Sequence, residues 1–276
     1  MRIIDTHLHC WDRDLFDYAW LEGTDLPRRF TPADIDGEVA GITAVFMEAD
    51  RRTDQVMAEA EWALGLVGGQ PAVAAAVAHA PLGEGNRATA ALQALSGIPG
   101  VTGIRRLLQD EQLNFFSDDQ FLSDLRAVGA TGFVFDACVR AHQLRELART
   151  ARSAPDTLIV VDHLGKPVAE DPGEAVRGEW LDGIRDLSAC DNVVVKISGL
   201  LPATGPVQEV RPWVLAVLEA FGPDRAVVGS DWPVSRRADI PYPRWFEFVL
   251  TECGLSTDEA DRVGWRNAER IYRIAS

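Results

Sequence analysis

The chain has 276 residues, of which 47% are hydrophobic and 25% charged, so it can bury the core of a globular protein. Its 27 lysines and arginines are outnumbered by 42 acidic residues, and the net charge of −15 argues against nucleic-acid or anionic-membrane partners, which require a basic surface. The sequence shows no signal-peptide pattern, no apolar stretch of 18 residues and no CxxC spacing among its four cysteines. We therefore expect a cytoplasmic protein with reduced thiols.

Eight short apolar runs recur along the chain at intervals of roughly 26 to 40 residues, the length of one strand plus one helix and two loops. The runs are rich in β-branched and small apolar residues, which is typical of parallel strands that are buried on both faces. They begin with Ile3-Ile4 and continue at 42–46, 72–78, 101–104, 132–135, 158–161, 193–197 and 226–229.

Helical patterns occupy intervals between these runs, most clearly at 54–66, 143–151 and 212–221. Helix-start signals occur at 31–34, 117–120 and 256–259, where Ser or Thr precedes an acid or amide by three residues. Eight strands that alternate with helices predict a single TIM (β/α)8 barrel spanning residues 1–276. An open doubly wound sheet is the alternative, but no G-x-G-x-x-G or phosphate-binding loop follows an early strand.

Ionisable side chains collect where the predicted strands end, which in such a barrel is the active-site face. Four of the five histidines lie at these ends, and this clustering indicates an enzyme. In strand order the side chains are His7 and His9; Glu48 and Asp50; His79; Arg105 and Arg106; Asp136; Asp162 and His163; Lys196 and Ser198; and Ser230 and Asp231.

The first strand ends in an Asp-x-His-x-His alternation. Side chains two residues apart in a strand lie about 7 Å apart on one face, so Asp5, His7 and His9 are expected to point the same way. The two histidines are candidate ligands, acids or donors. Asp5, deeper in the strand, is expected to support His7 or the backbone at the strand end. Asp231, at the eighth strand end, is the candidate general base.

The remaining candidates have less specific signals. Strand alternation places either Arg105 or Arg106 in the lumen, and we expect Arg105 there as a substrate-binding group. His163 is expected to be catalytic. Glu48, His79 and Asp136 are further substrate-binding candidates, and each could instead have a purely structural role. Asp136 is also a candidate metal ligand or a partner of Arg105.

Aromatic residues also flank the first and eighth strand ends. Trp232 is a candidate face for a sugar ring, with loop packing as the alternative.

Several sequence blocks together resemble the lactonases of the amidohydrolase superfamily, the amidohydrolase 2 group. The resemblance is nearest to the L-fuconolactonase and L-rhamnonolactonase types and more distant to 2-pyrone-4,6-dicarboxylate lactonase. It covers nearly the whole chain in order. The blocks are DTHLHCW at 5–11 with YAWL at 18–21, GIR at 103–105 with LQDE at 108–111, VDHLGKP at 161–167, KISGL at 196–200, GSDWPV at 229–234 and NAERIY at 267–272.

This resemblance implies a distorted TIM barrel that hydrolyses a cyclic ester, a carboxylic-ester hydrolase acting on a small-molecule lactone such as an aldonolactone. It makes His7 and His9 the first-strand pair, Arg105 the substrate-binding arginine and His163 the sixth-strand histidine. Asp231 is the eighth-strand acid, which would activate the attacking water and then protonate the departing alkoxide.

Metal dependence is left open by the resemblance. Metal-dependent members of the superfamily usually add a lysine or histidine ligand on a middle strand, where this chain has Asp136. His7, His9 and Asp231 could hold one Zn2+, with Glu48 as a further ligand candidate, so the metal is expected to be optional.

Two other functions remain as alternatives: a metal-dependent decarboxylase or amidohydrolase of the same superfamily, and a non-catalytic barrel that binds a sugar acid. The lactone and the existence of a homo-oligomer are not determined by the sequence.

Overall fold

Eight parallel strands form one sheet in which spatial order follows chain order. The structure, a computed structural model, describes residues 1–35, 39–66, 69–167, 173–237 and 239–274, without the side chains of 173–175. All eight predicted strands are present, and the predicted TIM barrel is confirmed. The strands are β1 Ile3–Leu8, β2 Ile42–Met47, β3 Ala72–His79, β4 Val101–Leu107, β5 Val134–Cys138, β6 Ile159–Val161, β7 Val193–Ile197 and β8 Ala226–Val228.

The barrel closes between β1 and the segment that follows β8. The amide of Asp231 donates to His7 O at 2.8 Å, and the amide of His9 donates to Trp232 O at 2.9 Å. Gly229 permits this approach, because a Cβ built there would lie only 2.8 Å from His7 Cβ. We call these contacts the seam. The seam places the ends of β1 and β8 side by side.

A register shift in β1 sets the direction of its side chains. Asp5 pairs with Ala44 and Leu8 with Phe46, so β1 carries one extra residue in this interval. Such a bulge reverses the alternation of side chains along a strand. His7 consequently contacts groups inside the barrel, whereas Asp5 accepts hydrogen bonds from Tyr242 and Ser230. The expectation that Asp5 shares a face with the histidines is therefore wrong, although its supporting contact to the His7 amide is present at 3.0 Å.

Helices surround the sheet in the intervals between strands. The described ranges contain no helix that is long and apolar enough to cross a membrane. The α-helices are α1 Val56–Leu64, α2 Asn86–Ser96, α3 Asp119–Ala130, α4 Leu144–Ser153, α5 Gly173–Ser188, α6 Arg211–Phe221, α7 Tyr242–Glu247, α8 Thr257–Asp261 and α9 Asn267–Tyr272.

The three predicted helix starts have different outcomes. Ser256 caps α8 as predicted. The cap of α3 is Asp118, whose carboxylate accepts from two amides of the first turn, so the prediction of Ser117 was off by one residue. Thr31 begins only the short 3-10 turn Pro32–Asp34.

The core has two parts. Alternate strand residues such as Val134 and Val194 fill the lumen, and α9 covers one end of it with Ile271 and Tyr272. The other strand face packs against the helices. The polar side chains lie at the other end of the lumen, at the carboxyl ends of the strands.

Candidate active site

A cavity of about 330 Å³ opens at the carboxyl ends of the strands. Four predicted site residues line it: His9, Arg105, His163 and Asp231. Their neighbours in the wall include residues that the sequence did not single out as site residues. The other lining residues are Trp20, Ala49, Asp50, Leu107, Gln109, Cys138, Lys166, Pro167, Gly199, Leu200 and Val234.

Three imidazoles converge on one carboxylate oxygen in the cavity floor. Asp231 Oδ1 lies 3.4 Å from Nε2 of His9, 3.6 Å from Nε2 of His7 and 3.9 Å from Nε2 of His163. Burial alone would raise the pKa of Asp231, but His163 and the two first-strand histidines outweigh burial and hold the pKa below its usual value. Asp231 is therefore ionised at neutral pH. Its other oxygen accepts a hydrogen bond from Ser235.

His163 is held as a neutral ring. Its Nδ1 lies 2.9 Å from the Ser198 hydroxyl. Burial lowers the pKa of His163 to about 4 and outweighs the opposing effects of Asp231 and Asp162. Gly199 fits tightly here, because a Cβ at that position would lie 2.4 Å from His163 Nδ1 and 3.1 Å from Asp231 Oδ2.

His7 is fully buried behind the cavity wall and does not line it. Burial lowers its pKa well below the usual value, and the nearby Lys196 and His163 lower it further against the opposing effect of Asp162. Its Nδ1 lies 3.2 Å from Lys196 Nζ and 3.4 Å from Asp162 Oδ1. His7 can therefore reach the reaction only through Nε2.

The first-strand histidines fit a metal ion. Nδ1 of His9 lies 3.0 Å from Met47 O, so a hydrogen on Nδ1 would leave the lone pair on Nε2. Metal-bound imidazoles commonly make such a backbone or carboxylate contact through the second nitrogen. His7, His9 and Asp231 offer ligand atoms within 4.8 Å of one another, and a second group combines His7 with Asp162 and His163. Glu48 belongs to neither group.

Behind the cavity, buried acids and bases alternate. Arg105 donates from Nε to Asp162 at 2.9 Å and from Nη1 to Glu48 at 3.2 Å. Burial would raise the pKa of Glu48, but Arg105 and Arg51 outweigh burial and lower the pKa to about 2. Glu48 is thus a partner of two arginines and does not line the cavity.

Asp136 lies deeper still. It is fully buried, bonds Lys196, and accepts a hydrogen bond from Tyr272 of α9 at 2.8 Å. Burial raises the pKa of Asp136 to about 6, against the effect of Lys196. Its position beneath Lys196 separates it from the cavity, so the structure does not bring this candidate to the substrate-binding surface.

His79 and Trp232 are also absent from the cavity lining. Burial lowers the pKa of His79 to about 4, despite the nearby carboxylate of Glu48. The ring of Trp232 instead packs edge-on against Tyr242 of α7, at a centroid distance of 5.6 Å. His79 ends β3 and Trp232 follows β8, as expected, but neither side chain reaches the cavity.

Trp20 is one of the aromatic residues that flank the first strand end; it lies on a loop after β1 and donates from Nε1 to Ala49 O at 2.6 Å. The lining residues that sequence reasoning passed over also come mostly from loops. Gln109 and Lys166 meet across the cavity wall in a hydrogen bond. Both residues belong to the sequence blocks quoted above, and these blocks were the signal that could have identified them. Their spacing in the sequence did not show that their side chains reach the cavity.

The profile of the amidohydrolase family, Amidohydro_2, matches residues 4–274. An L-fucono-1,5-lactonase from Burkholderia ambifaria is 33% identical over 98% of this chain and 95% of its own length. An L-rhamnono-gamma-lactonase from Scheffersomyces stipitis is 26% identical over 63% of this chain and 59% of its own.

Solved structures show the same fold. An amidohydrolase from Burkholderia multivorans with bound zinc superposes with a TM-score of 0.81 at 24% identity, over the full length of both chains. A probable 2-pyrone-4,6-dicarboxylic acid hydrolase from Acinetobacter baumannii with bound citric acid gives a TM-score of 0.71 at 16% identity, over 99% of this chain and 100% of the other.

Proposed function

This chain belongs to the amidohydrolase family, and we propose that within it the protein is a lactonase that hydrolyses a cyclic ester of a sugar acid. Similarity to an L-fucono-1,5-lactonase over nearly the whole of both chains supports this function. The observation that carries the proposal is the convergence of three imidazoles on Asp231 at the floor of the cavity. The protein is accordingly a carboxylic-ester hydrolase.

Asp231 serves as the general base. Lactone hydrolysis needs an activated water, stabilisation of the tetrahedral oxyanion and a proton for the departing alkoxide. Asp231 is ionised and lines the cavity, so its carboxylate can take a proton from water as the water attacks the carbonyl carbon. The same carboxyl then returns that proton to the ring oxygen as the ester bond breaks.

His163 polarises the carbonyl. If Nδ1 accepts from the Ser198 hydroxyl, the neutral ring carries its hydrogen on Nε2, which points toward Asp231 and the cavity. That N–H can donate to the carbonyl oxygen and strengthen the bond as negative charge develops there. Arg105, fixed by Glu48 and Asp162 through Nη1 and Nε, orients the substrate at the wall.

We further infer that His7, His9 and Asp231 hold one divalent cation, since their three ligand atoms face one another and His9 is bonded through Nδ1 to a backbone carbonyl. A cation held there would supply Lewis-acid polarisation of the lactone carbonyl. The binding of zinc by the Burkholderia multivorans amidohydrolase supports this assignment. In this assignment the first-strand histidines act on the carbonyl through the cation that they would hold.

Residues 1–276 are proposed to act as one catalytic domain. The family match spans 4–274, and segments from both ends of that range meet in the lumen, where Ile4 packs with Ile271. The first-strand histidines and the α9 contact to Asp136 thus belong to the same barrel.

The direct experiment is a panel of aldonolactones and pyrone-type lactones, each assayed with and without a chelator. We expect hydrolysis of at least one sugar-acid lactone and a lower rate after chelation. Hydrolysis of none of them would contradict the lactonase proposal. Release of CO2 from an aromatic acid, abolished by chelator, would favour the decarboxylase alternative.

A further inference from the structure

Lysine is rare in this chain and is confined to the site. Among 27 basic residues, only Lys166 and Lys196 are lysines, and arginine supplies the rest. Lys196 is fully buried between Asp136 and Asp162. Lys166 lines the cavity. A compact ammonium differs from a planar guanidinium in reach and geometry. Lysine at these two positions therefore suggests that the site requires an ammonium group there.

Lys166 ends a strained segment. His163, Leu164, Gly165 and Lys166 have φ values of 54°, 53°, 69° and 51°, so four consecutive residues adopt the left-handed region. Residues other than glycine rarely adopt this conformation, because Cβ approaches the backbone. Two hydrogen bonds support the segment: Lys166 N donates to His163 O at 2.7 Å, and Trp180 Nε1 donates to Leu164 O at 2.8 Å.

The strained segment places two functional side chains in one cavity. His163 and Lys166 are three residues apart, about one turn, and both line the cavity wall. Gly165 between them packs against α4, where a Cβ would lie 2.5 Å from Leu144 Cδ2. Backbone strain of this kind persists where the surrounding structure enforces it, commonly at functional sites.

Lys166 and Arg105 both line the cavity, but they differ in how far their charge is neutralised. Arg105 is paired with two carboxylates, Glu48 and Asp162. Within the described part of the chain, Lys166 Nζ donates to the neutral amide oxygen of Gln109, and no carboxylate forms an ion pair with it. An ammonium held by a neutral group retains donors and net charge for a ligand.

We propose that Lys166 is a specificity-determining residue that binds a substrate oxygen remote from the scissile carbonyl. The proposal rests on the lactonase function above. The left-handed turn sets two binding points on one substrate, with His163 at the carbonyl and Lys166 at a second oxygen. That oxygen is either a hydroxyl of a neutral aldonolactone or a carboxylate of an acidic lactone. Gln109 is a positioning residue for the ammonium.

Kinetics of Lys166→Met test the role. Loss of a contact made equally to substrate and transition state raises KM and leaves kcat nearly unchanged, so we expect KM to rise at least about tenfold with kcat within about threefold. A larger loss with acidic than with neutral lactones would assign the oxygen to a carboxylate, and the reverse to a hydroxyl. Arg106→Met is the matched control, because Arg106 neighbours Arg105 on β4 but pairs with Glu111 and does not line the cavity.

Acylation of amines provides a second readout that does not depend on turnover. Because Lys196 is fully buried, an amine-directed reagent should modify chiefly Lys166 and the N-terminal amine of the folded protein. We expect the aldonate formed from L-fucono-1,5-lactone, or citrate, to protect Lys166 and not the N-terminus, as measured by peptide mass spectrometry.

The two experiments separate the two proposals. Protection of Lys166 in a protein that hydrolyses no lactone would contradict the lactonase function and retain the binding role of Lys166. An unchanged KM in Lys166→Met, together with no protection by either compound, would overturn the role of Lys166 and leave the lactonase function intact.

Discussion

The Nε2 atoms of His7 and His9 lie 3.2 Å apart at the end of β1. Asp231 Oδ1 lies within 3.6 Å of both, so two ring nitrogens and a carboxylate oxygen face a common point. Lone pairs at such distances repel one another unless a hydrogen or a cation lies between them. The relationship between these two histidines therefore indicates the place at which a shared hydrogen or a bound cation would stabilise the site.

Zinc binding should stabilise the folded protein. Because a ligand that binds only the folded state shifts unfolding by mass action, saturating Zn2+ is expected to raise Tm by several degrees. His9→Gln should abolish the shift and reduce bound metal at least about tenfold, as measured by thermal denaturation and elemental analysis. His79→Gln should retain both, since His79 lies outside the ligand group. Equal metal content in His9→Gln and the parent would contradict the assignment.

Asp231→Asn should abolish lactone hydrolysis. The amide preserves size but removes the charge that takes the proton, so we expect kcat/KM to fall by at least about a thousandfold. Steady-state kinetics on the best lactone of the panel provide the measurement. Asp239→Asn, an exposed acid paired with Arg237, is the matched control and should retain activity. Near-parental hydrolysis by Asp231→Asn would show that another group activates the water.

Gly199→Ala should damage catalysis more than folding. The new methyl would meet His163 Nδ1 and Asp231 Oδ2, and the φ of +61° at this position disfavours any Cβ. We expect kcat to fall by about a hundredfold as the two groups are displaced. Gly178→Ala on α5 is the control, because a Cβ there meets nothing within 4 Å and alanine favours helices by about 1 kcal/mol. Full activity in Gly199→Ala would mean that His163 tolerates displacement.

Stability should fall as the pH rises because of Glu59. Burial raises the pKa of this carboxyl to about 8, although Arg51, with Nε 3.5 Å away, opposes the change. The folded state thus holds a proton that the unfolded state releases near pH 4.5. The contribution of Glu59 to the free energy of unfolding is fully present below pH 4.5 and is lost as the pH rises through about 8. The free energy falls by at most about 1.4 kcal/mol for each pH unit in this window.

Glu59→Gln mimics the protonated carboxyl and should reduce this loss. Its Tm is expected to exceed the parental Tm at pH 9 and to approach it at pH 5, as measured by calorimetry. The control is Glu61→Gln, an exposed position on the same helix, for which we expect parallel curves. A pH dependence in Glu59→Gln equal to the parent would contradict the raised pKa.

The barrel was predictable because its strands are buried on both faces, which leaves continuous apolar runs in the sequence. The positions of Arg105 and His163 followed from strand alternation and strand ends. Glu48 follows β2 and Asp136 lies within β5, but Arg105 and Lys196 cover them, and burial of this kind depends on packing between strands that no local pattern records.

Two backbone features account for the parts of the site that the sequence did not predict. The bulge after Asp5 adds one residue to β1 and reverses the alternation that the sequence implies. The left-handed segment that ends at Lys166 contains only one glycine among its four residues, so composition offered little sign of it. Its conformation depends on tertiary contacts such as the hydrogen bond from Trp180.

The seam has a mechanical consequence for the whole barrel. Elsewhere adjacent strands are joined by ladders, but β1 meets the chain after β8 through a few hydrogen bonds around His7 and Asp231. Local opening should begin at this joint, because fewer bonds must break there. A ligand that binds both His7 and Asp231 would add a contact across the seam. Amide hydrogen exchange at His9 and Asp231 should then slow when the site is filled. Ligand binding at the site and stabilisation of the closed barrel would therefore be coupled.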